Sequence, residues 1–142
     1  MKIQVLLEAT QRRSPPGDIE QFMTVMARVA QPDDEGHFIS STPRGQIDFI
    51  ERDSRSIEIA SIEALDRGGG KHILGLTCRV ADQLQTVLRV YARPIPGSRY
   101  QIDQDDLVRF YESFGFHIDN SRAEGWEDGD YMIRKPRRGA PR

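Results

Sequence analysis

Three consecutive glycines, Gly68, Gly69 and Gly70, stand between Asp66-Arg67 and Lys71-His72-Ile73. The stretch from Ser56 to Leu65 runs into them, and Ile73, Leu76, Thr77, Val80, Ala81 and Leu84 follow at helical spacing. A strand, a glycine turn and a helix in that order can cradle a phosphate. Glycines let backbone N–H groups come close, and a helix start offers unpaired donors and the positive end of its dipole. Arg67 and Lys71 add positive charge. Spacing excludes two familiar phosphate motifs. A Walker loop needs glycine at Leu65 and Ser or Thr at His72, and a dinucleotide fingerprint needs glycine at Ile73. The run would also serve as a plain connector, and on the glycines alone that is marginally the simpler reading.

Other residues capable of chemistry lie apart from this loop. Tyr111 is flanked by Leu107, Phe110 and Phe114 at helical spacing, so it reads either as a core aromatic or as a phenol carried by an amphipathic helix. Glu58 sits in a strand pattern, where a lone glutamate is most simply solvent-facing. Cys78 falls mid-helix and suits packing. His37, His72 and His117 have no metal-ligand spacing, so no metal is expected.

The elements that must position these groups follow from periodicity. Ile3, Val5 and Leu7 alternate as an opening strand, and Pro15-Pro16-Gly17-Asp18 breaks the chain. Ile19, Phe22, Met23, Met26, Val29 and Ala30 predict a helix ending before Pro32. A polar loop, 31–36, leads to three strands over 37–42, 46–52 and 56–65, separated by turn formers as in a meander. Within the third, Ile57 and Ile59 share a face but Ile62 has the opposite parity. Either a β-bulge intervenes or Ile62 packs on the other face. Beyond the second helix, 86–92 is a strand closed by Pro94 and Pro96. Asp105 and Asp106 favour a helix start before Leu107, and Gly115 ends that helix. Strands over 116–118 and 130–134 follow, joined by a polar loop carrying Trp126. The order β-α-β-β-β-α-β-α-β-β describes a mixed sheet with helices on its faces.

At 142 residues the chain fits one domain, here 1–136, followed by a basic tail, 137–142, expected to fray. Twenty basic against 22 acidic residues leave a net charge of −2, which favours neither nucleic acid nor an anionic membrane. One cysteine precludes an internal disulfide, and no apolar run approaches the roughly 18 residues of a membrane span. A cytoplasmic protein is expected.

Leu107-Val108-Arg109-Phe110-Tyr111-Glu112-Ser113-Phe114-Gly115-Phe116, followed by Asp130-Tyr131-Met132-Ile133-Arg134-Lys135-Pro136, resembles the closing segment of GNAT-superfamily N-acetyltransferases. In that family an "FYexxGF" helix-to-strand step precedes a "ymM.k" strand. The glycine loop then resembles the family's pyrophosphate motif, Q/R-x-x-G-x-G/A, with Arg67 first and Gly70 fourth. The likeness covers roughly residues 46–136 by motif and is strongest toward amine acetyltransferases of the arylalkylamine type.

The resemblance implies a mixed α/β fold, mostly antiparallel, with splayed central strands and helices on both faces. It implies acetyl-CoA as acyl donor and a primary amine, on a small molecule or a protein, as acceptor. Ala60, Ser61 and Ile62 would pair with the pantetheine. Arg67, Gly68, Gly69, Gly70, Lys71, His72 and Ile73 would hold the pyrophosphate, and Gln104 would take the place of a cofactor-contacting asparagine. Tyr111 matches the proton donor to the departing thiolate, and Glu58 the position of a base in some relatives. His72 departs from the pattern, standing where the family has glycine or alanine, which leaves a CoA-binding or protein-interaction module without turnover as the alternative. The segment 93–103 is expected to form an acceptor-side flap. Asp103, Asp105, Asp106, Glu124, Glu127 and Asp128 would rim the acceptor cleft, and a homodimer is compatible with the family.

Overall fold

The computed structural model describes residues 18–53, 56–97, 100–119 and 129–137. The expected opening strand, Trp126, the acids Glu124, Glu127 and Asp128, and the end of the tail lie outside them.

Helix α1, Ile19–Val29, is capped by the Asp18 carboxylate, which accepts from the Gln21 amide at 3.2 Å. It buries Ile19, Phe22, Val25 and Met26 along one stripe. The expected polar loop and the strand after it shrink to two bridges, β1 (Gln31–Pro32) and β2 (Phe38–Ile39), paired antiparallel. The strand predicted to reach residue 42 stops early because the chain turns sharply from Ser40 to Gly45, through a cis Thr42–Pro43 bond. Ser40 and Gly45 close that turn: the Ser40 amide donates to Gly45 O, and the Gly45 amide to Ser40 Oγ at 2.9 Å.

Strands β3 (Gly45–Asp53) and β4 (Ser56–Ala64) form a long antiparallel pair. Helix α2 (Gly69–Leu84) crosses to β5 (Val87–Ala92), helix α3 (Gln104–Glu112) follows, and β6 (His117–Ile118) and β7 (Asp130–Arg134) complete a seven-stranded sheet. Among the described residues its order is β1-β2-β3-β4-β5-β7-β6, a mixed and mostly antiparallel sheet in which only β4 and β5 run parallel. Helix α2 packs on β3 and β4 and against α1, while α3 packs on β5. Phe22, Phe38 and Phe49 meet ring to ring in the core between α1 and the sheet.

Two features of β4 open the sheet. Asp48 pairs with Ser61 and Phe49 with Ile59, so Ala60 is an extra residue with no partner on β3. This bulge settles the parity of the isoleucines. Ile59 lies across from Phe49 and Ile62 across from Ile47, so both project to one side. The parallel pairing of β4 with β5 runs from Ser56–Val87 to Ile59–Val90 and stops there. Past that point β4 follows β3 to Ala64, and β5 follows β7 to Ala92. The two strands part like the arms of a V.

Candidate active site

The V between β4 and β5 leads into a cleft of about 440 Å³. One wall is the bulged arm, with Ala60, Ser61 and Ile62. The second is the start of α2, with Arg67, Gly68, Gly70 and Lys71, and the third is the segment after β5. Helix α3 adds Leu107, Phe110 and Tyr111 to the lining.

The glycine turn is built to leave donors free. Gly68 is the N-cap of α2, with φ +83°, and brings no side chain to cap the helix. The first-turn amides of a helix have no acceptor within it. The Gly69 amide is spent on Asp66 O at 2.9 Å, and the first helical bond is His72 N–H to Gly68 O at 3.1 Å. Gly70 and Lys71, between them, border the cleft. This arrangement suits an anion. Among the described residues, the cations Arg67, Lys71 and Arg93 line the cleft, and no carboxylate does.

The loop is clamped from behind by the Ser40–Gly45 turn. Arg44 O accepts from the Leu65 and Asp66 amides, each at 3.0 Å. The Asp66 carboxylate in return takes the Arg44 amide at 2.8 Å and its guanidinium at 3.2 Å. The His72 ring turns into the same clamp, with Nδ1 2.9 Å from Pro43 O and 3.1 Å from Ser41 O. The residue expected to crowd the cradle is therefore absent from the cleft lining. Sequence reading missed Arg44 and this role for His72, since residues some twenty to thirty apart meet only in the fold.

Gly69 and Ile73, also expected at the pyrophosphate, are buried and face the protein rather than the cleft. Gln104 is held elsewhere: its Nε2 donates to Ala92 O at 2.9 Å and to Asp130 Oδ2 at 3.0 Å, tying α3 to β5 and β7. Glu58 is buried on β4, one residue before the last parallel pair, and stands outside the cleft lining. Its carboxylate accepts from Arg52 Nε at 2.9 Å.

Tyr111 is buried between the rings of Phe110 and Phe116, at 5.4 and 5.3 Å, and borders the cleft. Burial pushes its phenol well above the usual tyrosine range, so the proton is retained. The Cys78 thiol is buried and pushed up to about 11 by desolvation, so it is a packing group rather than a nucleophile.

The segment expected as a flap contributes Arg93, Pro94, Ile95, Tyr100, Gln101 and Ile102 to the cleft. Arg67 stacks over the Tyr100 ring, 5.9 Å from its centroid, so the glycine loop and the flap touch across the mouth. Of the rim acids within the described residues, Asp103 caps α3 through the Asp106 amide at 2.8 Å and Asp106 pairs with Arg109. Both are engaged on the helix itself.

No family model and no curated protein matches the chain. Among solved structures, it is similar to the anti-CRISPR protein AcrVA5, with 26% identity and a TM-score of 0.44 over 71% of this chain and 92% of that one. It is also similar to an inferred N-acetyltransferase from Lactobacillus plantarum, with 12% identity and a TM-score of 0.46 over 94% of this chain and 88% of that one. At these scores neither likeness carries the functional argument, which rests on the chain's own residues.

Proposed function

We propose that the chain is an acyl-CoA-dependent N-acetyltransferase that moves an acetyl group from acetyl-CoA directly to a primary amine. The observation that carries this reading is the parting of parallel β4 and β5 at the Ala60 bulge, beside a glycine-capped helix start and with Tyr111 in the lining of the same cleft. The bulged arm presents unpaired backbone to an extended amide chain such as pantetheine. The amides of Gly70 and Lys71, with the Arg67 and Lys71 side chains, are directed at a pyrophosphate. The Tyr111 motif, FYESFGF, completes the pattern.

In the proposed step the neutral amine nitrogen attacks the thioester carbonyl carbon, a C–N bond forms and the C–S bond breaks. The amine proton leaves to a base, for which Glu58 is the nominee, acting through water and oriented by Arg52. The thiolate takes the Tyr111 proton, the N-acetylated amine and CoA–SH result, and the proton held by the base returns to the Tyr111 phenolate through solvent. A phenol held protonated by burial is a competent donor at neutral pH. An unpaired strand N–H at the bulge would polarise the carbonyl.

A CoA-binding module without turnover is the second reading, and it draws on the engagement of Glu58 by Arg52 outside the cleft lining. Calorimetry with CoA, followed by a thiol-release assay over a panel of primary amines, tests both. Binding with turnover supports the enzyme, binding without turnover the module. No binding of CoA or any acyl-CoA removes both readings.

A further inference from the structure

Behind the bulge runs a line of polar side chains that the proposed chemistry does not use. Asp33 opens the β1–β2 turn, and its Oδ1 accepts the Glu35 amide at 2.9 Å and the His37 amide at 2.8 Å. Its Oδ2 faces His37 Nδ1 at 3.0 Å. The other ring nitrogen, His37 Nε2, lies at ion-pair distance, 3.2 Å, from Asp48 Oδ1, an oxygen closed off from solvent that accepts no hydrogen bond among the described residues. Asp48 Oδ2 accepts the Ser61 hydroxyl at 3.0 Å. Ser61 borders the cleft and is the residue immediately after the bulged Ala60, and Asp48 is its ladder partner on β3.

We infer that Asp33, His37, Asp48 and Ser61 form a positioning relay that fixes the bulged cofactor-binding edge of β4 while the His37 ring carries both protons. The inference rests on reading the cleft as an acyl-CoA groove. With both nitrogens facing carboxylates, a neutral imidazole satisfies only one of them. The doubly protonated ring donates a hydrogen bond to Asp33 and faces Asp48 as an ion pair at 3.2 Å. Asp33 and Glu35 from the ring's own turn and Asp48 from β3 act on it in the same direction. The hydrogen bond to Asp33 leads in raising its pKa above 6.5, against a smaller desolvation effect. Deprotonation therefore removes the ion pair that joins His37 to Asp48 in the line that ends at Ser61. The bulge loosens as pH rises through the folded-state pKa of His37.

The relay is tested on the full chain by following the His37 ring and the Ala60 and Ser61 amides by NMR without ligand, and CoA affinity by calorimetry, from about pH 6 to 9. The expected result is one shared midpoint, with affinity falling roughly two- to fivefold on the alkaline side, the worth of one partly exposed ion pair. His37→Gln makes both profiles flat. Asp33→Asn keeps the turn's acceptor oxygen but removes a charge, so it moves the midpoint toward acid without abolishing the step. Amides that stay still while the ring titrates, or a step that survives in His37→Gln, overturn the relay. So does a step abolished by EDTA, which would assign Asp33, Glu35 and His37 to a cation, their ligand atoms lying within 4.8 Å of one another. Amides that titrate in a protein that binds no CoA keep the relay and remove the acyl-CoA reading instead.

Discussion

Gly45 and Gly69 lie backbone against backbone. A Cβ on Gly69 would fall inside the Arg44 carbonyl, and one on Gly45 would overlap the Gly69 carbonyl and reach 2.7 Å from Ile73 Cγ2. The first residue of β3 and the first of α2 thus share a contact that sets the glycine loop at its height above the sheet. Gly70, one position on, has ordinary room: its Cβ would meet only Ile62 Cγ2, at 3.7 Å.

Adjacent glycines should therefore respond differently. Gly69→Ala must push apart two backbones and is expected to cost about 3 kcal/mol of stability, the upper part of the range for overpacking. Gly70→Ala should leave the melting temperature near wild type. Gly70→Val, whose branched side chain stands between the first-turn amides and a bound anion, should weaken CoA binding at least roughly tenfold with little loss of stability. Thermal melts paired with calorimetry check this. Parallel losses of melting temperature and affinity in Gly70→Val would make that glycine structural too.

Tyr111→Phe keeps the ring and removes the hydroxyl. Folding and CoA affinity should hold, while turnover falls roughly 10²–10⁴-fold, the contribution of a positioned proton donor. The raised phenol pKa adds a sign. In the unfolded chain the phenol ionises near about pH 10, whereas the folded site resists, so its contribution to stability is lost as pH rises past that value. Alkaline melts of Tyr111→Phe should lack this loss. Normal turnover in the mutant with a verified acceptor would make the tyrosine a packing residue.

Arg134 carries the placement of α3's exit. It is 2% exposed, bridges to both Asp82 oxygens at 2.8 and 3.0 Å, and donates through Nε to Phe114 O at 2.6 Å. Strand β7, helix α2 and the turn after Tyr111 meet on one guanidinium. Arg134→Met leaves the partly buried Asp82 carboxylate with the Arg137 amide at 2.9 Å but no cation, and should cost about 3 kcal/mol. Denaturant unfolding measures it. The double variant with Asp82→Leu should recover part of the loss, and its failure to do so would place the cost in packing rather than charge.

Glu58→Gln tests the nominated base. Turnover should fall with CoA affinity unchanged. Unchanged turnover, with only a loss of stability, would leave Glu58 as the partner of Arg52.

Periodicity and turn chemistry carried much of the reading. The stripe of α1, the β3–β4 pair, the helix after the glycines and the bounds of β7 follow from local patterns, because side-chain spacing, caps and glycines act over a few residues. Even the bulge left a trace, as a slip of one in the isoleucine parity, though the choice between bulge and opposite face needed the register against β3. Long-range partners decided the rest. Sequence alone placed His72 beside the phosphate site. The turn through Pro43, twenty-nine residues away, takes its ring instead. Gln104 and Glu58 were assigned by their place along the chain, but Ala92 O, Asp130 and Arg52 claim their polar atoms. The line from Asp33 to Ser61 exists only because three segments, the β1–β2 turn, β3 and β4, converge at the bulge. A hydrogen bond depends on direction and on distances of a few tenths of an ångström, and those are set only when the sheet has closed.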